Sequence, residues 1–313
     1  MFPGNFNAQE FVDQARKVNS EEFLMLIDRG IALLEKEQAF PPTKGVEGRL
    51  VHLSPSGTAV VIGDLHGDLE SLTHILTDSG FLKKIRKGEN VYLIFLGDYG
   101  DRGLSSLEVF CVVLKLKELF QDKVILMRGN HEGPKDMLPS PFDLPVELKL
   151  KYGEEDGAKI YNKLRRFFNH LYNAILIDEW AVLIHGGLPS EALAVEDLAY
   201  AHIKHPKDSL LEDMLWSDPQ EELNGVQPSP RGAGKIFGAN ITRKLLKMLN
   251  VKVLIRGHEP CQEGFKTNHN GMVLTVFSTN KPPYSNEHAA YLQLNLSKKI
   301  NNAKQLLRYI RQF

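Results

Sequence analysis

Five short polar words, each entered from a run of apolar and largely β-branched residues, constrain this 313-residue chain more than any other feature. They are Gly63-Asp64-Leu65-His66-Gly67, Gly97-Asp98-Tyr99-Gly100-Asp101-Arg102-Gly103, Arg128-Gly129-Asn130-His131-Glu132, His185-Gly186-Gly187 and Arg256-Gly257-His258-Glu259. The runs before them, Ala59–Ile62, Tyr92–Leu96, Lys123–Met127, Ala181–Ile184 and Val253–Ile255, predict buried strands. Asp, His and Asn therefore recur at strand C-termini, where loops from packed neighbouring strands converge and ligands sit in open α/β sheets. Hard carboxylate and amide oxygens mixed with imidazoles suit a divalent first-row metal. The absence of cysteine from all five words argues against a thiolate zinc site.

One word alone reads first as a strand-ending turn, with Asp capping the next helix and Gly at positive φ. Five in order are different, because chance turns have no reason to carry metal-type side chains every time. His131, His185 and His258 are each flanked by glycine or another polar residue, whereas core histidines usually sit among apolar neighbours. Arg102, Arg128 and Arg256 lie beside these groups and would repel a cation unless an anion shared the site, and phosphate is the anion their planar forks suit.

With these words the chain resembles a known family, the metal-dependent phosphoprotein phosphatases of the type 1, type 2A and calcineurin kind, from about Thr58 to Asn295. Gly63 to Gly67, Gly97 to Gly103 and Gly129 to Glu132 resemble its three signature motifs. Leu215-Trp216-Ser217-Asp218-Pro219 and Arg231-Gly232 before Phe237-Gly238 resemble stretches of the protein phosphatases rather than of the wider superfamily. The resemblance implies an α/β fold, the calcineurin-like metallophosphoesterase β-sandwich flanked by helices. It implies a serine/threonine protein phosphatase that cleaves phosphomonoesters by direct attack of hydroxide generated at two divalent ions, manganese in vitro and iron or zinc natively. Asp64 and His66 would hold one ion, Asn130, His185 and His258 the other, and Asp98 would bridge them. Asp101 would orient and charge His131, the proton donor to the departing serine or threonine oxygen. Arg102 and Arg231, with Asn130 and Tyr284, would meet the substrate phosphate, while Arg128 and Arg256 read either as phosphate contacts or as braces of ligand loops.

One segment departs from the family pattern. Where the family has a short Ser-Ala-Pro-Asn-Tyr loop, this chain reads Phe277-Ser278-Thr279-Asn280-Lys281-Pro282-Pro283-Tyr284-Ser285, so Tyr284 is the expected counterpart of the loop tyrosine. Competing functions are a symmetrical dinucleoside-tetraphosphate hydrolase, which shares the first three words, a nuclease, and a non-catalytic scaffold. Trp216-Ser217-Asp218 and Arg231-Gly232 favour the phosphatase over the first. The second lacks a basic stripe, and the third predicts a lost ligand where all six candidates are present.

The motif words span too much of the chain to be divided between domains. The expected organisation is an N-terminal helical extension over residues 1–50, a catalytic domain over 51–300 and a short basic C-terminal helix over 301–313. A formal net charge of −1 with 25% charged residues implies no nucleic-acid partner. Neither a signal peptide nor an apolar run of membrane-spanning length is present, and two cysteines make no disulfide framework. A cytoplasmic enzyme acting on phosphoproteins is expected, with any regulatory subunits unspecified.

Locally, Asn19 or Ser20 caps a helix with Phe23, Leu26, Ile27, Ile31 and Leu34 on one face, ended by Pro41-Pro42. Helices from about Asp68 and Ser105 read as crossovers of βαβ units. Gly133 to Pro145, with four prolines, reads as a surface loop after the third word. Met272–Phe277 and Ala290–Asn295 read as close strands joined by a polar loop.

Overall fold

Apolar runs with no polar face can only become strands covered on both sides, and that requirement organises the molecule. The computed structural model describes residues 7–39 and 45–313. In chain order the strands are β1 (Val46–Glu47), β2 (Leu50–Leu53), β3 (Thr58–Ile62), β4 (Val91–Phe95), β5 (Val124–Leu126), β6 (Ala174–Ile177), β7 (Ala181–Ile184) and β8 (Asp218–Pro219). They continue as β9 (Val226–Pro228), β10 (Lys235–Phe237), β11 (Val253–Arg256), β12 (Phe265–Asn268), β13 (Val273–Val276), β14 (Ala290–Asn295) and β15 (Ile310–Gln312). Among the described residues they form a seven-stranded sheet in the order β1-β2-β6-β7-β11-β13-β12, a five-stranded sheet β15-β14-β3-β4-β5, and a small sheet β8-β10-β9.

Side-chain alternation along the larger sheet divides two cores. Ile175, Ile177, Leu183, Ile255, Leu274 and Val276 join one apolar cluster with Val61, Leu93, Leu126 and Leu292 of the other sheet. Their neighbours Ala174, Leu176, Val182, Ile184, Leu254 and Val273 face a second cluster with Met214, Trp216 and Leu245. A period of two along each strand therefore makes the expected sandwich, sheet on sheet within and helices outside. Val60–Leu93 and Ile94–Ile125 are partners in parallel ladders, so the helices Leu69–Asp78 and Ser106–Phe120 are crossovers as read.

The helix Ser20–Gln38 is capped by Asn19, whose side chain accepts from the Glu22 N–H while Glu22 reaches back to the Asn19 N–H. All five residues expected on its buried face are buried, and it packs against Ser106–Phe120 and Glu154–Phe168. Pro41 and Pro42, read as its terminator, lie outside the described residues. No described helix is long and apolar enough to cross a membrane.

Three expectations are corrected. The segment 303–313 is not a helix: short 3-10 turns at Ala303–Gln305 and Leu307–Tyr309 lead into β15, which pairs antiparallel with β14 from Ala290↔Gln312 to Leu292↔Ile310. A helix this short is marginal, whereas β14 offers an open row of N–H and C=O groups. Second, the proline-rich loop stops before Pro145, which lies in the first turn of the helix Leu144–Tyr152, where a missing N–H costs nothing. Third, β13 and β14 belong to different sheets, and β12, too polar to be read as a strand, pairs with β13 at the sheet edge.

Candidate active site

The five words do converge. Asp64 begins where β3 ends and forms a parallel bridge with Phe277, just past β13, so the two sheets are joined at the site. Backbone conformation there is costly: of the ten non-glycine residues with positive φ among the described residues, five are His66, Asp98, Asp101, Arg102 and His258. Such conformations cost of order 1–3 kcal/mol each and persist where surrounding structure over-determines them. Two glycines admit the carboxylates. A Cβ at Gly129 would lie 2.1 Å from Asp98 Oδ1, and one at Gly257 would lie 2.3 Å from Asp64 Oδ1.

Asp98 is the hub. Its Oδ2 lies 3.5 Å from His66 Nε2, 3.5 Å from His185 Nε2 and 3.9 Å from His131 Nε2. Asp64 Oδ2 stands 3.7 Å from His66 Nε2, while Asp64 Oδ1 accepts the His258 N–H at 2.9 Å. Asn130 Oδ1 approaches His185 Nε2 at 2.9 Å and His258 Nδ1 at 3.1 Å. His185 Nδ1 sits 3.0 Å from the Leu96 carbonyl and must donate to it, so a neutral His185 turns an Nε2 lone pair toward the oxygens of Asn130 and Asp98. All six expected ligands are buried.

This arrangement of acceptor against acceptor fits a cation. Asp64 Oδ2 is buried and has no hydrogen-bond partner. The side chains fall into two groups whose donor atoms lie within 4.8 Å of one another, His66, Asp98 and His131 in one and Asp98, His185 and His258 in the other. Asp98 is common to both, as a bridging carboxylate requires. Burial lowers the His185 pKa, but Asp98 outweighs it and draws the imidazole up to about 9, so that a proton compensates the negative cluster. His258, crowded by burial and the charge of His185, Arg231 and Arg256 despite Asp218, is held well below the ordinary histidine value.

His131 faces the cluster with Nε2 and pairs through Nδ1 with Asp101 Oδ2 at 2.7 Å. Asp101 Oδ1 in turn accepts the backbone N–H groups of Asp143 and Leu144, at the start of the helix Leu144–Tyr152. Burial lowers the His131 pKa, with Asp98 and Asp101 opposing it.

The arginines separate into two kinds. Arg256, wholly buried, binds Glu259, Asp218 and the Gly186 carbonyl, and buried Arg128 binds the Glu132 carbonyl and Asn169, so both brace loops. Arg231 remains about a third exposed and is tied through Nε to Asp218 at 2.6 Å. The charge of Arg102 bears on Tyr284, opposing the burial that raises its hydroxyl pKa, and the Tyr284 ring lies 5.1 Å from that of His66. The lengthened loop thus still returns a tyrosine to the cluster.

Sequence reading assigned no part to Glu132 or Asp218. Glu132 collects the N–H groups of Asp98 at 2.8 Å, Tyr99 at 3.1 Å and Gly129 at 3.1 Å, clamping the second word to the third. Burial and the neighbouring Asp98 push its carboxyl up to about 8, against the pull of those donors. Asp218 links Arg231 and Arg256 and stands 3.9 Å from His258 Nε2; burial opposes its ionisation, yet these three neighbours hold it down at about 2. Both residues stand inside quoted motifs, but only contacts between distant segments reveal what they bind.

A helix-flanked β-sandwich whose strand ends converge on one shared carboxylate defines a metallohydrolase class of protein. Residues 57–262 match the model of the calcineurin-like phosphoesterase family, and the chain belongs to that family. A probable serine/threonine-protein phosphatase of Encephalitozoon cuniculi is 36% identical over 250 residues, 79% of this chain and 52% of that protein. The serine/threonine-protein phosphatase 4 catalytic subunit of Kluyveromyces lactis is 32% identical over 234 residues, covering 74% of this chain and 71% of that one. The chain thus spans about half the length of the first relative and more of the second. Among solved structures, a protein serine/threonine phosphatase from Saccharomyces cerevisiae with similarity to human phosphatase PP5 superposes with a TM-score of 0.77 at 27% identity, covering 97% of this chain and 95% of that one.

Proposed function

We propose that the chain is a protein serine/threonine phosphatase that hydrolyses phosphoserine and phosphothreonine monoesters at a centre of two divalent metal ions. The observation that carries this reading is the convergence of donor atoms from five strand-end words on Asp98, with a buried Asp64 oxygen left without a protein donor. The serine/threonine phosphatases among its relatives support the substrate class. Asp64, His66 and Asp98 would hold one ion, and Asp98, Asn130, His185 and His258 the second. When bound, such a pair supplies a nucleophile at neutral pH and neutralises charge on the phosphoryl group.

The remaining steps fall to the chain's own side chains. Arg102 and Arg231, both partly exposed, present guanidinium donors to the phosphate oxygens, with Tyr284 beside Arg102, and Asn130 offers its amide from the side of His185 and His258. His131 holds a proton on Nε2 for the departing serine or threonine oxygen, and Asp101 fixes the ring through Nδ1. Burial alone disfavours the charged ring, so the dianionic substrate itself, adding to Asp101, restores the imidazolium when it is needed. A cytoplasmic setting accords with Cys111 and Cys261 both being free thiols.

The test is turnover of a phosphoserine peptide, p-nitrophenyl phosphate and diadenosine tetraphosphate side by side, in manganese, iron or zinc. Preference for the phosphopeptide is expected. Preference for the dinucleotide would replace this reading with a dinucleoside-polyphosphate hydrolase, and inactivity on all three would leave a scaffold.

A further inference from the structure

A groove of about 810 Å³ opens beside the centre, with His66 and Arg102 in its lining. Its other walls come from separate parts of the chain: the turn after Arg102, the loop before the helix Leu144–Tyr152, and the lengthened segment Lys281–Pro283. Some of the charges around it answer one another, while Asp143 stands exposed in the lining. Lys281 Nζ lies 2.8 Å from Glu70, and Arg16 stands beside the same carboxylate. Asp68 accepts from the Ser71 N–H at 2.9 Å, the Ser71 hydroxyl at 2.6 Å and the Thr279 hydroxyl at 2.7 Å. The groove is left with apolar surface: Leu104 is 96% exposed, and Pro141, Pro282 and Pro283 are exposed around the same space.

Single exposed apolar residues are ordinary, but four from three segments around one groove that continues from a reactive centre mark a binding surface. A phosphorylated side chain gripped by Arg102 must carry its main chain out of the centre through an opening next to that arginine. Resting on the phosphatase reading above, we infer that this groove receives the residues flanking the phosphorylated position and selects an apolar side chain there, with Leu104 as a specificity-determining residue. Lys281 and Glu70 already pair at the rim, so a charged flank gains little from them and loses water against the apolar surface.

The test uses phosphoserine peptides identical except for Leu, Asp or Lys at the two positions on each side, with p-nitrophenyl phosphate as a substrate that has no flanks. The wild-type protein is expected to favour the Leu peptide about tenfold in kcat/KM, mostly through KM. Leu104→Asp should lose that preference and gain the Lys peptide, and Leu104→Lys should gain the Asp peptide. Turnover of p-nitrophenyl phosphate should be unchanged in both, because the side chain stands in solvent. Equal kcat/KM for the three peptides, or a preference unmoved in both variants, would overturn the groove while leaving the phosphatase reading intact. An equal loss on p-nitrophenyl phosphate would also overturn it, since Leu104 would then act on the centre itself. Hydrolysis of p-nitrophenyl phosphate with none of any phosphopeptide would overturn the phosphatase reading and the groove together.

Discussion

Two clusters of buried ionisable groups can be compared in this molecule, one around Lys117 and one around Asp98. Lys117, 1% exposed, places its ammonium 2.8 and 2.7 Å from the two Glu37 oxygens, 3.1 Å from the Gln121 carbonyl and 2.9 Å from that of Val124. The Tyr172 hydroxyl donates to Glu37 at 2.9 Å. Each charge there meets opposite charge or a hydrogen-bond partner, with Gln121 the one contributor at positive φ. Around Asp98, imidazole nitrogens and oxygens crowd one another, Asp64 Oδ2 has no donor, and the backbone enters the left-handed region at Asp98, His66 and His258. The first cluster is complete as folded. The second becomes complete only with a ligand, and that difference separates a structural ion pair from a reactive centre.

If the comparison holds, the two clusters must respond oppositely to mutation. The largest effect is expected from Asp98→Asn, which withdraws the carboxylate shared by both groups: several kcal/mol of transition-state stabilisation, on the order of 10³ to 10⁴-fold in kcat, should vanish. Metal content by elemental analysis should fall with it. Two tightly held equivalents of metal in this variant would break the bridging assignment.

Next comes His131→Asn, which should keep its metal and lose about 10² to 10⁴-fold on a phosphoserine peptide but distinctly less on p-nitrophenyl phosphate, whose phenolate leaves without a proton. Asp101→Asn should show the same skew in weaker form. Equal losses on the two substrates would assign His131 to binding phosphate.

The Lys117 cluster should answer in stability instead. Lys117→Met takes the ammonium from Glu37 and is expected to cost about 2–4 kcal/mol, toward the low side because Glu37 keeps the Tyr172 hydroxyl and its side chain, 16% exposed, can turn to water. Denaturant titration would read this, and kcat per folded molecule should not move. A fall in kcat at unchanged stability would erase the distinction between the clusters. The smallest effect sharpens it: Asn19→Ala, at the far end of the helix that carries Glu37, removes the side-chain acceptor of the Glu22 N–H while leaving the backbone donor to Glu22, and should cost about 1 kcal/mol with no catalytic change.

Much of the centre was legible in the sequence because a strand's burial and the side chains at its end are local properties. Ala59–Ile62 and Ala181–Ile184 announce covered strands by composition alone, and each must release its chain at an end where the next residues are polar. The same locality gave Asn19 and Glu22 their reciprocal cap. What lay beyond it was partnership. Glu132 differs from the other glutamates because the turn after β4 brings two N–H groups to it beside that of Gly129 in its own loop. Tyr284 reaches His66 across a loop whose length hid its destination.

The chain ends show the division most clearly. Residues 303–313 carry a basic, partly apolar pattern suited to a short helix, and became turns and a strand because β14 presented an unpaired edge. Likewise, Lys266, Thr267 and Asn268 have no strand periodicity of their own and pair because β13 lies beside them. The sequence by itself determined which segments had to be covered and which side chains would stand at their ends, since burial and turn chemistry are written residue by residue. Only the tertiary structure decided which ends met, which arginines became braces and which stayed at the surface, because hydrogen-bond partners are chosen by proximity in space and no local pattern records it.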